Sequence, residues 1–190
     1  YARQVAPASD GGAERVFDLG GVVRTEGRRA SHAGQFTMRA ACVAWGDQTT
    51  IANRSKDVVL AAADAFGSRQ IETPKGIIDL DGEWTWLKFF PALWERLGRT
   101  ITVDTPLAEL QELADANEIE FDPKWGAGKL AMELFGDLVE PALLQPTFVY
   151  DYPSIAQPLA RPHRTDPGKV EAWDLIIGGV ERGTGFTELV

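Results

Sequence analysis

In the run Trp173-Asp174-Leu175-Ile176-Ile177-Gly178-Gly179-Val180-Glu181, two carboxylates stand seven positions apart across a glycine pair. A tight turn at Gly178-Gly179 would bring both to one end of adjacent strands, which suits a divalent cation held between phosphate oxygens. Taken by composition alone, two ordinary strand-end carboxylates are the commoner meaning of such a pair. Glu188 follows Thr184 and Phe186 on what reads as the last strand, and the two-residue period puts 184, 186 and 188 on one face. Near the start, Arg24-Thr25-Glu26-Gly27 sets a guanidinium able to reach a phosphate beside a carboxylate able to orient another polar group. His32 and Phe36 follow Arg24 by eight and twelve residues. Singly, the Arg/Glu pair reads as a solvated turn and His32 as a hydrogen-bonded loop histidine.

These residues need elements to position them. Residues 1–13 show no period and read as a loose lead-in. Residues 15–23 have strand composition broken by a glycine pair, residues 36–45 form a second strand, and the basic loop 24–32 joins them as a hairpin. Val58, Val59, Ala62 and Phe66 mark an amphipathic helix over 51–66 that stops at Gly67. Residues 71–86 read as two short strands around a turn at Asp81-Gly82. Pro91 opens a short helix closing at Gly98, and Thr105-Pro106 supplies an N-cap and first-turn proline for a helix to about Ala116. Leu130, Leu134 and Leu138 define a third helix over 130–139, stopped before Pro141. Strands follow at 147–152, 170–177 and 180–189. Strands first, helices between and strands last predict an α+β fold, an antiparallel sheet with inserted helices.

A chain of 190 residues fits one domain, or most of one. Its 28 acidic against 19 basic residues leave a net charge of −9, so no general polyanion-binding surface is expected and any contact with RNA would come from a local patch. The single Cys42 excludes an intrachain disulfide and a cysteine-based zinc cluster, which suits a reducing cytosol. The start carries no apolar signal core, and no apolar run approaches the roughly 20 residues of a membrane span, so a cytoplasmic protein without a membrane partner is expected. The first residue is Tyr1 rather than Met, as in a processed, trimmed or partial sequence.

With these motifs in order, the chain resembles the catalytic domain of class II lysyl-tRNA synthetases, particularly the actinobacterial forms. The likeness spans residues 14–190, densest at 14–38 and 146–189. It divides the chain into a motif 2 region at 15–45, a helical insertion at 51–140 and C-terminal strands at 146–190. What it implies is ATP-dependent activation of lysine as an adenylate, then transfer to tRNA. Arg24 would bind the α-phosphate of ATP as the catalytic arginine, Glu26 and His32 would lie at the nucleotide, and Phe36 would stack on adenine. Asp174 and Glu181 would bind Mg²⁺. Thr184, Phe186 and Glu188 would meet the substrate lysine, with Glu188 at its ammonium.

The same comparison shows departures. After Phe36-Thr37-Met38 the family presents a Glu and a Tyr to the amino acid, where this chain has Ala40 and Cys42. Arg39 takes a usually apolar position, pointing away from the pocket or intruding on the core. Thr184 replaces an Asn, and Asp174 a longer Glu. Motif 1, the family's homodimer interface, would precede Arg15; motif 3 would follow Glu188, and tRNA would be engaged through regions beyond those present. Two other functions therefore stand beside the first: a non-catalytic binding or regulatory paralogue, and a paralogue that activates a different amino acid.

Overall fold

The computed structural model describes residues 12–23 and 34–189. Strands β1 (Arg15–Val23) and β2 (Gln35–Val43) pair antiparallel in the expected hairpin, from Arg15 opposite Val43 to Val23 opposite Gln35. They form a two-stranded sheet of their own. One face carries Phe17 and Leu19 into solvent, while the other half-buries Val16, Val22, Phe36, Met38, Ala40 and Cys42. Arg39 belongs to the exposed face, where its guanidinium lies 5.6 Å from the Phe17 ring centroid, so it points away from Ala40 and Cys42.

Helix α1 (Gln48–Phe66) begins three residues before its hydrophobic period does, because Asp47 caps it. The Asp47 carboxylate accepts from the Thr50 amide at 2.8 Å and the Thr50 hydroxyl at 2.9 Å, satisfying an amide that the first turn leaves open. Gly67 ends the helix in the left-handed region at φ 94°.

The turn expected at Asp81-Gly82 is not a hairpin turn. Strands β3 (Gln70–Thr73) and β4 (Gly76–Asp79) instead fold about Pro74-Lys75, with Thr73 opposite Gly76. Gly76 takes φ 133°, which favours glycine there, and the Thr73 hydroxyl donates to its carbonyl at 2.7 Å. At Asp81 the amide turns back to the Asp79 carboxylate at 3.0 Å, sending the chain off to another sheet as β5 (Thr85–Lys88).

Helix α2 (Phe89–Leu97) follows directly and stops at Gly98 as expected, though it starts two residues before Pro91. Helix α3 (Leu107–Ala116) does not use Thr105 as its cap: Pro106 holds that position, and the Thr105 hydroxyl accepts from the Thr102 amide at 2.9 Å instead. Helix α4 (Ala127–Leu138) runs into a short 3₁₀ turn, Glu140–Ala142.

Strands β6 (Thr147–Tyr150), β7 (Ala172–Ile176) and β8 (Glu181–Phe186) complete a four-stranded sheet in the order β5-β6-β7-β8. The fold is α+β, but this sheet is mixed. β6 pairs antiparallel with β7 and β7 with β8, whereas β5 and β6 run parallel. Parallel neighbours need a long crossover, and α2, α3 and α4 lie on it. The interval 51–140 thus contributes β5 to the principal sheet as well as helices.

Every residue of β7 is buried, because both sheet faces are covered. Val149, Ala172 and Ile176 pack with Phe89, Leu93, Leu110, Leu130 and Leu134 of the three helices. Phe148, Trp173 and Leu175 face α1 and the β3–β4 hairpin, through Ala52, Ala63, Ile78 and Trp84. Among the described residues, no helix is long and apolar enough to cross a membrane.

Candidate functional site

Gly178 and Gly179 both take positive φ, 71° and 72°, the combination that a two-residue type I′ hairpin turn demands. The Leu144 and Leu143 carbonyls accept from their amides at 2.9 Å each, so the turn is pinned against the segment after α4. Its register sets Asp174 opposite Thr184 and Ile176 opposite Glu181, with a bulge between Leu175 and Ile176. Cross-strand partners share a face, so Asp174, Glu181 and Thr184 belong to one side of the sheet.

Asp174 is only 8 % exposed, whereas Glu181 is exposed. Burial pushes the Asp174 carboxyl up from its ordinary value, and hydrogen bonds from Thr184, Tyr152 and Gln157 pull it back. The Thr184 hydroxyl also lies 3.3 Å from the Trp173 carbonyl. Its one proton serves one acceptor at a time, and a carboxylate is the stronger of the two.

Tyr152, in the segment after β6, is buried on the helical side of the sheet. It is 2 % exposed, and burial is the first cause holding its phenol well above the ordinary range. The charge of Asp174 and its hydrogen bond act in the same direction, followed by the charges of Glu181 and Glu140. Glu140 opens the 3₁₀ turn, and its carboxylate accepts from the Glu181 amide at 3.1 Å. Asp174 and Glu181 thus share one face of the sheet, and Glu140 holds the Glu181 backbone amide.

Tyr152 is driven inward by a local reversal. Asp151 takes φ 62°, a left-handed conformation that Asp tolerates better than most residues, and both Asp151 and Tyr152 are 2 % exposed. The Asp151 carboxylate is held by Lys88 Nζ at 3.1 Å. Its other oxygen, Oδ1, has no hydrogen bond, and His163 Nε2 lies 3.5 Å from it. His163 cannot turn freely, since its Nδ1 accepts from the Asp166 amide at 3.0 Å.

The remaining predicted residues are spread more widely. Phe186 is half-buried against the helical core, two residues along β8 from the exposed Thr184. Glu188 is exposed and lies past the end of β8, in an isolated antiparallel bridge to Ala160. The alternation expected over 184, 186 and 188 stops early because the chain there changes partners: the Thr187 amide donates to the Glu171 carbonyl and the Arg161 amide to the Thr187 carbonyl. Phe36 is half-buried in β2, opposite Val22, in the other sheet. Arg24, Glu26 and His32 lie outside the described residues.

Sequence reasoning missed Tyr152, Gln157 and Glu140. A Tyr-Pro pair after a strand and a Glu-Pro pair after a helix signal only chain reversal. Their meeting with Asp174 and Glu181 joins segments that are remote in sequence, and periodicity cannot report it.

Among the described residues, no cluster of three or more His, Cys, Asp or Glu is arranged to hold a metal ion. Asp174 and Glu181 are two oxygen donors on one face, the number that magnesium takes when phosphate oxygens and water complete its shell. The donor set fits a cation that arrives with a phosphate substrate.

The chain matches the family described as tRNA synthetases class II (D, K and N) over residues 8–190. It is 40 % identical over 183 residues to a lysine--tRNA ligase of Kineococcus radiotolerans, covering 95 % of this chain and 37 % of that protein. A lysine--tRNA ligase of Mycobacterium bovis is 38 % identical over 187 residues, with 94 % and 37 % covered. The lysylphosphatidylglycerol biosynthesis bifunctional protein LysX of Mycobacterium marinum is 40 % identical over 185 residues, with 94 % and 17 % covered. The chain thus spans little more than a third of the ligases that it matches, and less of the bifunctional protein.

Proposed function

Because the chain belongs to the family of class II tRNA synthetases (D, K and N), we propose that it forms part of a lysyl-tRNA synthetase-like catalytic domain that activates lysine with ATP. The observation that carries this reading is the register across the Gly178-Gly179 turn, which sets Asp174 and Glu181 on one sheet face with Thr184. Similarity to lysine--tRNA ligases over most of the chain supports the same substrate.

In this reading the lysine carboxylate attacks the α-phosphorus of ATP, the α–β anhydride bond breaks, pyrophosphate leaves and lysyl adenylate forms. A hydroxyl at the 3′ end of tRNA then attacks the lysyl carbonyl, the acyl–phosphate bond breaks and AMP leaves. Arg24 holds the α-phosphate and stabilises the charge that builds there. Glu26 and His32 orient the nucleotide, and Phe36 stacks on adenine. Asp174 and Glu181 hold magnesium, whose contribution is to neutralise phosphate charge. Phe186 lines the substrate groove and Glu188 pairs with the lysine ammonium, a charge-assisted bond worth roughly 1.5–3 kcal/mol. A cytoplasmic setting, tRNA and a second subunit as partners belong to the same reading.

Ala40 and Cys42 favour a second one. Both sit on the half-buried face of the hairpin with Phe36, and neither offers a carboxylate or a phenol to an amine. A different amino acid, or binding without turnover, would suit that face.

Thermal-shift titration with ATP and Mg²⁺, with and without lysine, separates these outcomes, since a ligand that binds only the folded state raises Tm. Under the leading reading ATP/Mg²⁺ stabilises the protein, lysine adds a further increment, and Arg24→Ala abolishes the ATP effect. Equal stabilisation of wild type and Arg24→Ala would remove Arg24 from the phosphate.

A further inference from the structure

We propose that His163 is a positioning residue for Glu188: by reaching Asp151 across the intervening chain, it fixes the stretch against which Glu188 is held, and so sets where a substrate ammonium is met. This rests on the reading of Glu188 as the partner of the lysine ammonium.

Glu188 needs an anchor, because β8 ends at Phe186. What holds it is the segment between β6 and β7. Ala160 bridges Glu188, and the Arg161 amide donates to the Thr187 carbonyl at 2.8 Å. On its other side the same stretch is laid against residues 169–171. There the Glu171 amide donates to the Arg161 carbonyl and the His163 amide to the Lys169 carbonyl, both at 2.9 Å, and Pro162 bridges Val170. Val170 in turn meets the chain after β6, its amide donating to the Tyr152 carbonyl at 3.1 Å. Three short stretches thus lead from the end of β6 to Glu188, and the backbone bonds of so short a ladder open readily by themselves.

His163 fastens the last of these stretches to the first. Its Nδ1 accepts from the amides of Asp166 at 3.0 Å and Thr165 at 3.3 Å. A ring nitrogen that accepts carries no hydrogen, so the hydrogen of the neutral imidazole is on Nε2. Nε2 lies 3.5 Å from Asp151 Oδ1, an electrostatic contact rather than a hydrogen bond. Asp151 is itself fixed, since Lys88, the last residue of β5, holds its Oδ2 at 3.1 Å. This acid is 2 % exposed, its backbone is left-handed at φ 62°, and Oδ1 accepts no hydrogen bond. Burying a carboxylate in this way is costly, and such a residue persists where the surrounding structure over-determines it. Loop closure alone would not need the contact. Lys169 pairs with Asp166 at 2.6 Å and Arg164 with Glu171 at 2.9 Å, and both pairs stay within residues 164–171. Of these side chains, it is His163 that reaches back to the residue after β6.

The test compares wild type, His163→Ala, His163→Asn, Glu188→Gln and the double variant of His163→Ala with Glu188→Gln. Lysine and ATP/Mg²⁺ affinities are read separately by calorimetry, and exchange of the Arg161 amide hydrogen by nuclear magnetic resonance. Asn keeps an acceptor for the Asp166 and Thr165 amides but is too short to meet Asp151, and near-ultraviolet circular dichroism verifies the fold of each variant. The expected result is about tenfold weaker lysine binding in both His163 variants, the lower end of what losing one charge-assisted bond costs, with ATP affinity unchanged. Exchange at Arg161 should quicken in both. In the Glu188→Gln background His163→Ala should add nothing, because it acts through Glu188. Wild-type lysine affinity, unchanged Arg161 exchange, or an equal loss of lysine and ATP binding in the His163 variants would overturn the positioning role and leave the lysine reading intact. An additive loss in the double variant would overturn it as well. No lysine binding by the wild type would defeat the lysine reading itself, and this proposal with it.

Discussion

The indole Nε1–H of Trp173 donates to the carbonyl of Gln48 at 2.7 Å, tying the buried centre of β7 to the first turn of α1. A second bond closes the joint, from the Gln48 amide to the Thr187 hydroxyl at 3.0 Å. Gln48 comes four residues after the β1–β2 hairpin region closes with Ala44 donating to Glu14, so this joint sets how that hairpin, with Phe36, approaches the sheet that carries Asp174. Trp173→Phe removes the donor and leaves a gap in a fully buried site. It should cost about 1–3 kcal/mol, seen as a lowered midpoint in urea unfolding. If hairpin placement depends on this joint, ATP affinity should fall as well.

Gly185 stands against the same ring. A Cβ there would lie 2.3 Å from Cζ2 of Trp173 and 2.7 Å from Cε2. Because Nε1 is bonded to Gln48 and the residue is 1 % exposed, the indole cannot retreat. Gly185→Ala should lose about 2–3 kcal/mol, at the upper end of overpacking costs. Gly183, with nothing near its virtual Cβ, is the control, and Gly183→Ala should unfold at a clearly higher urea concentration than Gly185→Ala.

Asp174 should be a stability liability in the absence of metal. Burial raises its carboxyl above 3.8, so the folded chain holds a proton that the unfolded chain gives up first. Stability therefore falls as pH rises from 3.8 through the folded value, and the deficit is complete above it. Asp174→Asn should raise Tm at pH 7 by about 2–4 °C, with the gain disappearing below pH 3.8. The same substitution should remove magnesium-dependent stabilisation by ATP.

The Lys88–Asp151 pair has the opposite sign. The Asp151 carboxylate raises the Lys88 ammonium above 10.5, through their hydrogen bond first and their charges second. Its stabilisation is fully present below pH 10.5 and is lost as pH climbs through the folded value. Lys88 is 49 % exposed and solvent screens it, while Asp151 is 2 % exposed. Lys88→Met should cost about 1–2 kcal/mol at pH 7 after that discount, and the difference from wild type should shrink in alkaline denaturation scans.

The hairpin of β1 and β2, the limits of α1 at Gly67 and of α2 at Gly98, and the turn at Gly178-Gly179 were all legible in the sequence. Each depends on local chemistry: alternation of side chains, or glycine where the backbone turns left-handed. The expected hairpin at Asp81-Gly82 was wrong for a related reason. A strong turn dipeptide competes with its neighbours, and Pro74-Lys75-Gly76 closed the β3–β4 ladder first. Thr105 likewise satisfied a loop amide rather than a helix.

The ordered motifs pointed by resemblance to the class II synthetases, and the spacing of Asp174 and Glu181 about Gly178-Gly179 predicted the hairpin turn between them. A seven-residue interval spanning one hairpin leaves little freedom. Only the tertiary structure decided that β5 runs parallel to β6, that Glu140 holds the Glu181 amide, and that Gln48 links hairpin to sheet. Those contacts join segments separated by long stretches of chain. They form only after two sheet faces have been buried, and no local preference along the chain encodes which remote segment arrives.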